Sequence, residues 1–185
     1  MFHLAFSVVL VAVLSGEALS QKVDVGGCPD VKVKEPFDVS KYVGEWYEIE
    51  KNPTPFEAGL KCNKAKYEDK GDYISVVNRG ISERSGKEST IEGKATIPDK
   101  NVPSKLKVKF NNMPFKADYW ILDTDYENYS VVYSCFSLFK LFNAEYLWIL
   151  SRTPTLEATT KENIYKFLDD NKIDRSRLKA TKQDC

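Results

Sequence analysis

The run Lys105-Leu106-Lys107-Val108-Lys109-Phe110 alternates charge and hydrocarbon at every step. A period of two confines such a segment to a half-buried strand, with one wet face and one dry face. Glu88–Ile97 repeats the pattern, with Ile91, Gly93 and Ala95 opposed to Thr90, Glu92 and Lys94. Further β-type segments occupy Gly44–Lys51, Asn63–Glu68, Tyr73–Arg79, Tyr119–Thr124, Ser130–Phe136 and Tyr146–Ser151. Turn residues such as Asn52-Pro53-Thr54-Pro55, Lys70-Gly71-Asp72 and Ser85-Gly86-Lys87 separate them. Eight short strands without an internal repeat predict an all-β fold. An antiparallel meander with one wet face closes on itself and removes the edges that invite aggregation. The interior of an eight-stranded barrel either fills with side chains or holds one small ligand.

After the last strand the period lengthens. Ile164, Phe167 and Leu168 share a helical stripe, and Thr159 with Glu162 forms a capping-box pattern. A helix over about Thr160–Asp170 is expected to lay that stripe on the outer wall of the barrel. Leu178-Lys179-Ala180 is a candidate short ninth strand.

Leu4–Leu14 is an apolar run too short to span a bilayer. It precedes Ala18-Leu19-Ser20, small residues suited to a signal peptidase, so residues 1–20 read as a leader cleaved before Gln21. Residues 21–185 then form one domain, expected to be secreted without an anchor. The leader contains Glu17 and no Lys or Arg, which takes 27 basic against 27 acidic groups to 27 against 26. A balance so close to zero argues against a nucleic-acid partner. The leader also takes with it His3, the only histidine, and with it any His-based triad, His-ligated haem or ordinary zinc site. No resident cofactor or metal is expected. Cys28, Cys62, Cys135 and Cys185 read as two disulfides, for which three connectivities are possible.

Three signatures recur in order along the strands: Gly44-Glu45-Trp46, Thr124-Asp125-Tyr126, and Arg152 after Trp148-Ile149-Leu150-Ser151. Together they resemble the lipocalins, carriers of small molecules built as an eight-stranded up-and-down antiparallel barrel with one C-terminal α-helix outside. The segments Phe37–Lys51 and Tyr119–Tyr129 are most similar to the branch of apolipoprotein D and its insect relatives. That resemblance implies the pairings Cys28–Cys135 and Cys62–Cys185. It also implies that Gly44, Trp46, Thr124, Asp125, Tyr126 and Arg152 mark the closed end, with the Arg152 guanidinium over the Trp46 indole. These residues define a fold and carry no chemistry.

Candidate ligand contacts lie among inward positions. Strand parity selects Tyr67, Asn78, Phe110, Trp120, Ser134 and Trp148. Aromatic walls with a few polar tips suit an apolar molecule bearing one polar group. The resemblance implies a lipid, fatty acid or sterol, with a bilin pigment as the alternative, or action on another protein through the loops. Catalysis is not expected, because paired cysteines leave no thiol nucleophile. Ser137-Leu138-Phe139-Lys140-Leu141-Phe142 is greasy for a hairpin connection, and it reads as a membrane-contacting or lid loop through Leu138, Phe139, Leu141 and Phe142. Asn128-Tyr129-Ser130 is the one glycosylation sequon, and Met113 is a candidate for oxidation by lipid hydroperoxide.

Overall fold

The computed structural model describes residues 23–185, so the leader expected over residues 1–20 lies outside the described residues. Ten strands make one sheet: β1 Val23–Val25, β2 Gly44–Lys51, β3 Leu60–Asp69, β4 Ile74–Ser82, β5 Glu88–Thr96, β6 Lys105–Phe110, β7 Ala117–Thr124, β8 Tyr129–Leu138, β9 Phe142–Ser151 and β10 Lys179–Ala180. Strands β2 to β9 pair antiparallel in chain order, and β9 returns to pair with β2, which closes an eight-stranded barrel. The two extra strands extend its rim. β1 pairs with the start of β9, Val25 facing Phe142, and β10 pairs with the end of β2, Lys179 facing Lys51. β10 falls within the candidate strand at Leu178-Lys179-Ala180, whereas β1, only three residues long, is not among the strands expected from the sequence.

Two apolar layers hold the barrel. Inside, Trp46, Tyr67, Val76, Ala95, Leu106, Val108, Ile121, Val132 and Leu150 pack together. Outside, Tyr133, Leu147 and Ile149 are covered by Ile164 and Leu168 of helix α2, Ala158–Asp170. The helix starts two residues earlier than its sequence pattern suggests, and Thr159 lies within its first turn. No side chain caps it; the Lys161 amide donates to the Glu157 carbonyl instead, so the capping box of Thr159 and Glu162 is not formed.

Strand alternation breaks at three irregularities, between Glu48 and Glu50 in β2, Lys61 and Lys64 in β3, and Ile121 and Asp123 in β7. An extra residue in a strand reverses the faces beyond it. The greasy connection is also shorter than its composition implies. Leu138 and Phe142 are paired strand residues, which leaves 139–141 as the turn. The disulfides are Cys28–Cys135 and Cys62–Cys185.

Candidate ligand-binding site

One end of the barrel is capped. Helix α1, Val39–Tyr42, opens with the Asp38 carboxylate accepting from the Ser40 amide. It lies under the barrel beside the β3–β4, β5–β6 and β7–β8 turns. The Arg152 guanidinium carbon stands 3.7 Å from the Trp46 ring centroid. Its nitrogens donate to the carbonyls of Tyr126 (2.9 Å), Glu45 (2.9 Å), Lys41 (3.0 Å) and Tyr42 (3.2 Å). The Trp46 indole N–H donates to the Tyr42 carbonyl at 2.8 Å. Gly44 has φ +104, and a Cβ there would meet the Arg152 guanidinium at 3.1 Å, so both backbone and space favour glycine. Thr124 and Asp125 organise the β7–β8 turn. The Asp125 carboxylate accepts the amides of Glu127, Asn128 and Tyr129, while Tyr126 accepts the Asp38 amide on its hydroxyl. A recess of about 320 Å³ remains beneath α1, lined by Val39, Ile74, Ile97 and Pro103.

Above the cap lies a layer of hydroxyls. Tyr119 shares hydrogen bonds with Tyr67 (2.8 Å) and Tyr42 (3.1 Å), and Tyr42 with Ser130 (3.0 Å). Burial pushes the Tyr42 phenol up to about 12 and raises those of Tyr67 and Tyr119 as well, so all three remain neutral. This layer is the floor of the interior.

The opposite end is open, and exposure along β9 shows it. The residues that face outward, Asn143, Leu147 and Ile149, are buried, whereas the inward Ala144, Tyr146 and Trp148 are only half-buried. Water therefore reaches the interior face there. Tyr146 stacks on Trp148 at 5.8 Å, and Phe56 from the β2–β3 loop meets Tyr146 at 6.0 Å. Phe110 and Asn78 are likewise half-buried on inward faces; the Asn78 Oδ1 has no partner among the described residues. Ser134 faces Tyr146 across β8 and β9. Tyr67 is also inward but sits in the floor, hydrogen-bonded and 4% exposed.

Trp120 is the exception. It faces Tyr133 on the outer wall, with the Lys105 ammonium 4.5 Å from its ring, and packs with the layer under α2. The irregularity at Ile121–Asp123 separates its parity from that of Thr124, and Tyr119 points inward in its place.

Charged groups inside the barrel went unseen in the sequence. The irregularity in β2 turns both Glu48 and Lys51 inward, opposite Leu150 and Trp148, and turns Glu50 outward to Tyr165 and Lys161 of α2. The Glu48 carboxylate accepts from Lys51 (2.8 Å), Asn63 (3.0 Å) and Thr181 (2.6 Å). Glu57, from the β2–β3 loop, takes the same Lys51 ammonium at 3.1 Å and receives the Trp148 indole N–H at 3.4 Å. Burial, reinforced by the charge of Glu57 and opposed by Lys51, raises the Glu48 carboxyl above its ordinary 4.5. The folded chain thus holds this proton more tightly than the unfolded chain. Its contribution is fully present below the unfolded value and is lost as pH rises through the folded one. Glu48→Gln is expected to raise the unfolding free energy by about 1 kcal/mol at neutral pH, since Lys51 keeps Glu57. Urea titrations should show that gain vanish below about pH 4.

A closed meander of eight strands, sealed by an arginine over a tryptophan and open at the far end, defines the class. The model of the lipocalin-like domain matches residues 37–183, and the chain belongs to the lipocalin family. Apolipoprotein D of Bos taurus is 42% identical over 171 residues, which cover 92% of this chain and 89% of that protein. The outer membrane lipoprotein Blc of Vibrio cholerae is 37% identical over 154 residues, 82% of this chain and 86% of that protein. Among solved structures, insecticyanin from the tobacco hornworm Manduca sexta superposes with a TM-score of 0.77 at 34% identity, covering 88% of this chain and 89% of that one.

Proposed function

We propose that the chain is a secreted carrier that holds one small hydrophobic molecule non-covalently in the open half of the barrel. The observation that carries this reading is the water-accessible inner wall of β9, where Tyr146 and Trp148 face the interior half-exposed. Asn78, Phe110, Ser134 and Trp148 would line the ligand, with Tyr67 and its hydroxyl layer beneath it. Removing roughly 300 Å² of apolar ligand surface from water gives about 7 kcal/mol before association costs, so polar contacts and a preformed cup must offset those costs for binding to reach the micromolar range. Carriage rather than catalysis is supported by the pairing of every cysteine. Titration of tryptophan fluorescence against lipids, steroids and bilins tests the reading: saturable micromolar quenching is expected, and its absence across the panel contradicts it. A pigment carrier would differ by absorbing visible light as purified.

Secretion as a mature domain of residues 21–185 is supported by the two disulfides, which persist in oxidising compartments. Membrane or lipoprotein contact at the mouth is supported by a crowd of exposed apolar residues there. Phe139 is 84% exposed, beside Leu138, Leu141, Phe142 and Phe136. Replacing both Leu138 and Phe139 with serine is expected to cut liposome binding at least fivefold in a flotation assay; unchanged flotation would exclude this contact. Asn128 is exposed at the closed end, where a glycan would leave the mouth clear. Enzymatic deglycosylation of protein secreted from a eukaryotic host is expected to lower its mass, and Asn128→Gln to abolish that shift.

A further inference from the structure

The chamber sets two carboxyl groups against one ammonium. Glu48 and Lys51 face inward, and Glu57 reaches the same ammonium from the loop, so one cation stands between two carboxylates. Their side chains are only 5%, 13% and 17% exposed, where water screens charge poorly. Other polar groups facing this space are neutral: Asn78, Ser134 and the hydroxyl of Tyr119. Arg152 is committed to carbonyls at the far end, beneath the tyrosine layer. Lys87, Lys116 and Lys140 lie in the turns around the mouth, where all three are exposed to solvent and their fields fade within about 10 Å in ordinary salt.

We infer that the cup selects ligands by the charge of their polar end, taking neutral hydroxyl- or amide-tipped apolar molecules and discriminating against carboxylates of the same chain. This selectivity rests on the carrier reading above. A carboxylate entering the chamber sheds its hydration and finds no uncommitted cation among the described residues, because Lys51 already serves Glu48 and Glu57. A hydroxyl brings no charge to strand beside Glu57 and sheds a smaller hydration shell, so it enters at lower cost.

Isothermal titration of the full, disulfide-intact chain with dodecanol and with dodecanoate at neutral pH tests this. Dodecanol is expected to bind at least tenfold tighter, a difference of about 1.4 kcal/mol. Glu57→Gln removes one of the two acids that occupy Lys51, and the ratio is expected to shrink below about threefold, with near-ultraviolet circular dichroism reporting that the barrel is intact. Dodecanoate binding as tightly as dodecanol, or a ratio unmoved by Glu57→Gln, overturns the selectivity and leaves the carrier reading standing. Failure of both molecules to bind overturns the two together.

Discussion

Arg152→Ala is expected to lower the unfolding free energy by about 3 kcal/mol. The side chain donates to four carbonyls drawn from α1, β2 and the β7–β8 turn, and so ties together three parts of the chain at once. Truncation leaves those acceptors to compete for water and uncovers one face of Trp46, which is otherwise fully buried. Arg152→Lys should recover less than half of the loss, because an ammonium lacks the planar fork that reaches several carbonyls while lying on the indole. Urea unfolding would register this as a lower midpoint with an unchanged slope. A loss below about 1 kcal/mol would mean that α1 and the β2 entry hold the closed end without the arginine.

Replacing Cys28 and Cys135 together with serine is expected to cost about 4 kcal/mol and to lower the thermal midpoint by about 10 °C. The bridge joins residues 107 apart in the chain, so its loss returns a large loop to the unfolded ensemble. It also frees the segment 26–36, whose Val31 and Val33 pack on the outer wall, where the Lys34 amide donates to the Ile121 carbonyl and the Asn143 side-chain amide to the Gly27 carbonyl. Cys62–Cys185 spans 123 residues and pins a different segment. There the tail enters where β2 and β3 part, with Thr181 bonded to Glu48 and Gln183 bridging the carbonyls of Glu48 and Asn63. Breaking that second bridge should therefore disturb the polar cluster of the chamber as well as stability. Differential scanning calorimetry of both double variants separates the effects.

Period-two alternation made the strands legible wherever it ran unbroken. β6 needs no correction because Lys105 to Phe110 alternate without a fault and the register follows. The closed end was legible through Trp46 and Arg152, which lie far apart in sequence and meet only in a barrel. Inward positions beyond an irregularity were not legible. Nothing in Tyr119-Trp120-Ile121-Leu122-Asp123 announces the extra residue that leaves Trp120 outside. The same holds for Glu48-Ile49-Glu50-Lys51, where plain alternation would pair Glu48 with Glu50 on the inner face. In the fold Glu48 instead meets Lys51, and the opposite charge satisfies a buried carboxylate. Glu57 was illegible for another reason, since its role comes from a loop that folds over the mouth and has no period to read. The one retrospective signal is a Pro55-Phe56-Glu57 turn set between two strands, an aromatic beside an acid in a loop otherwise expected to be polar.

The central claim is that ligand enters the barrel rather than resting on its outer wall, and the two half-buried tryptophans stand on opposite sides of that wall. Bromododecanol, whose heavy atom quenches indole emission at contact, can be titrated into the native chain, Trp120→Phe and Trp148→Phe, with calorimetry recording occupancy. Saturable quenching is expected to survive Trp120→Phe and to fall by more than about half in Trp148→Phe at equal occupancy. Quenching that disappears with Trp120 and persists without Trp148 would place the ligand outside the barrel and contradict the account.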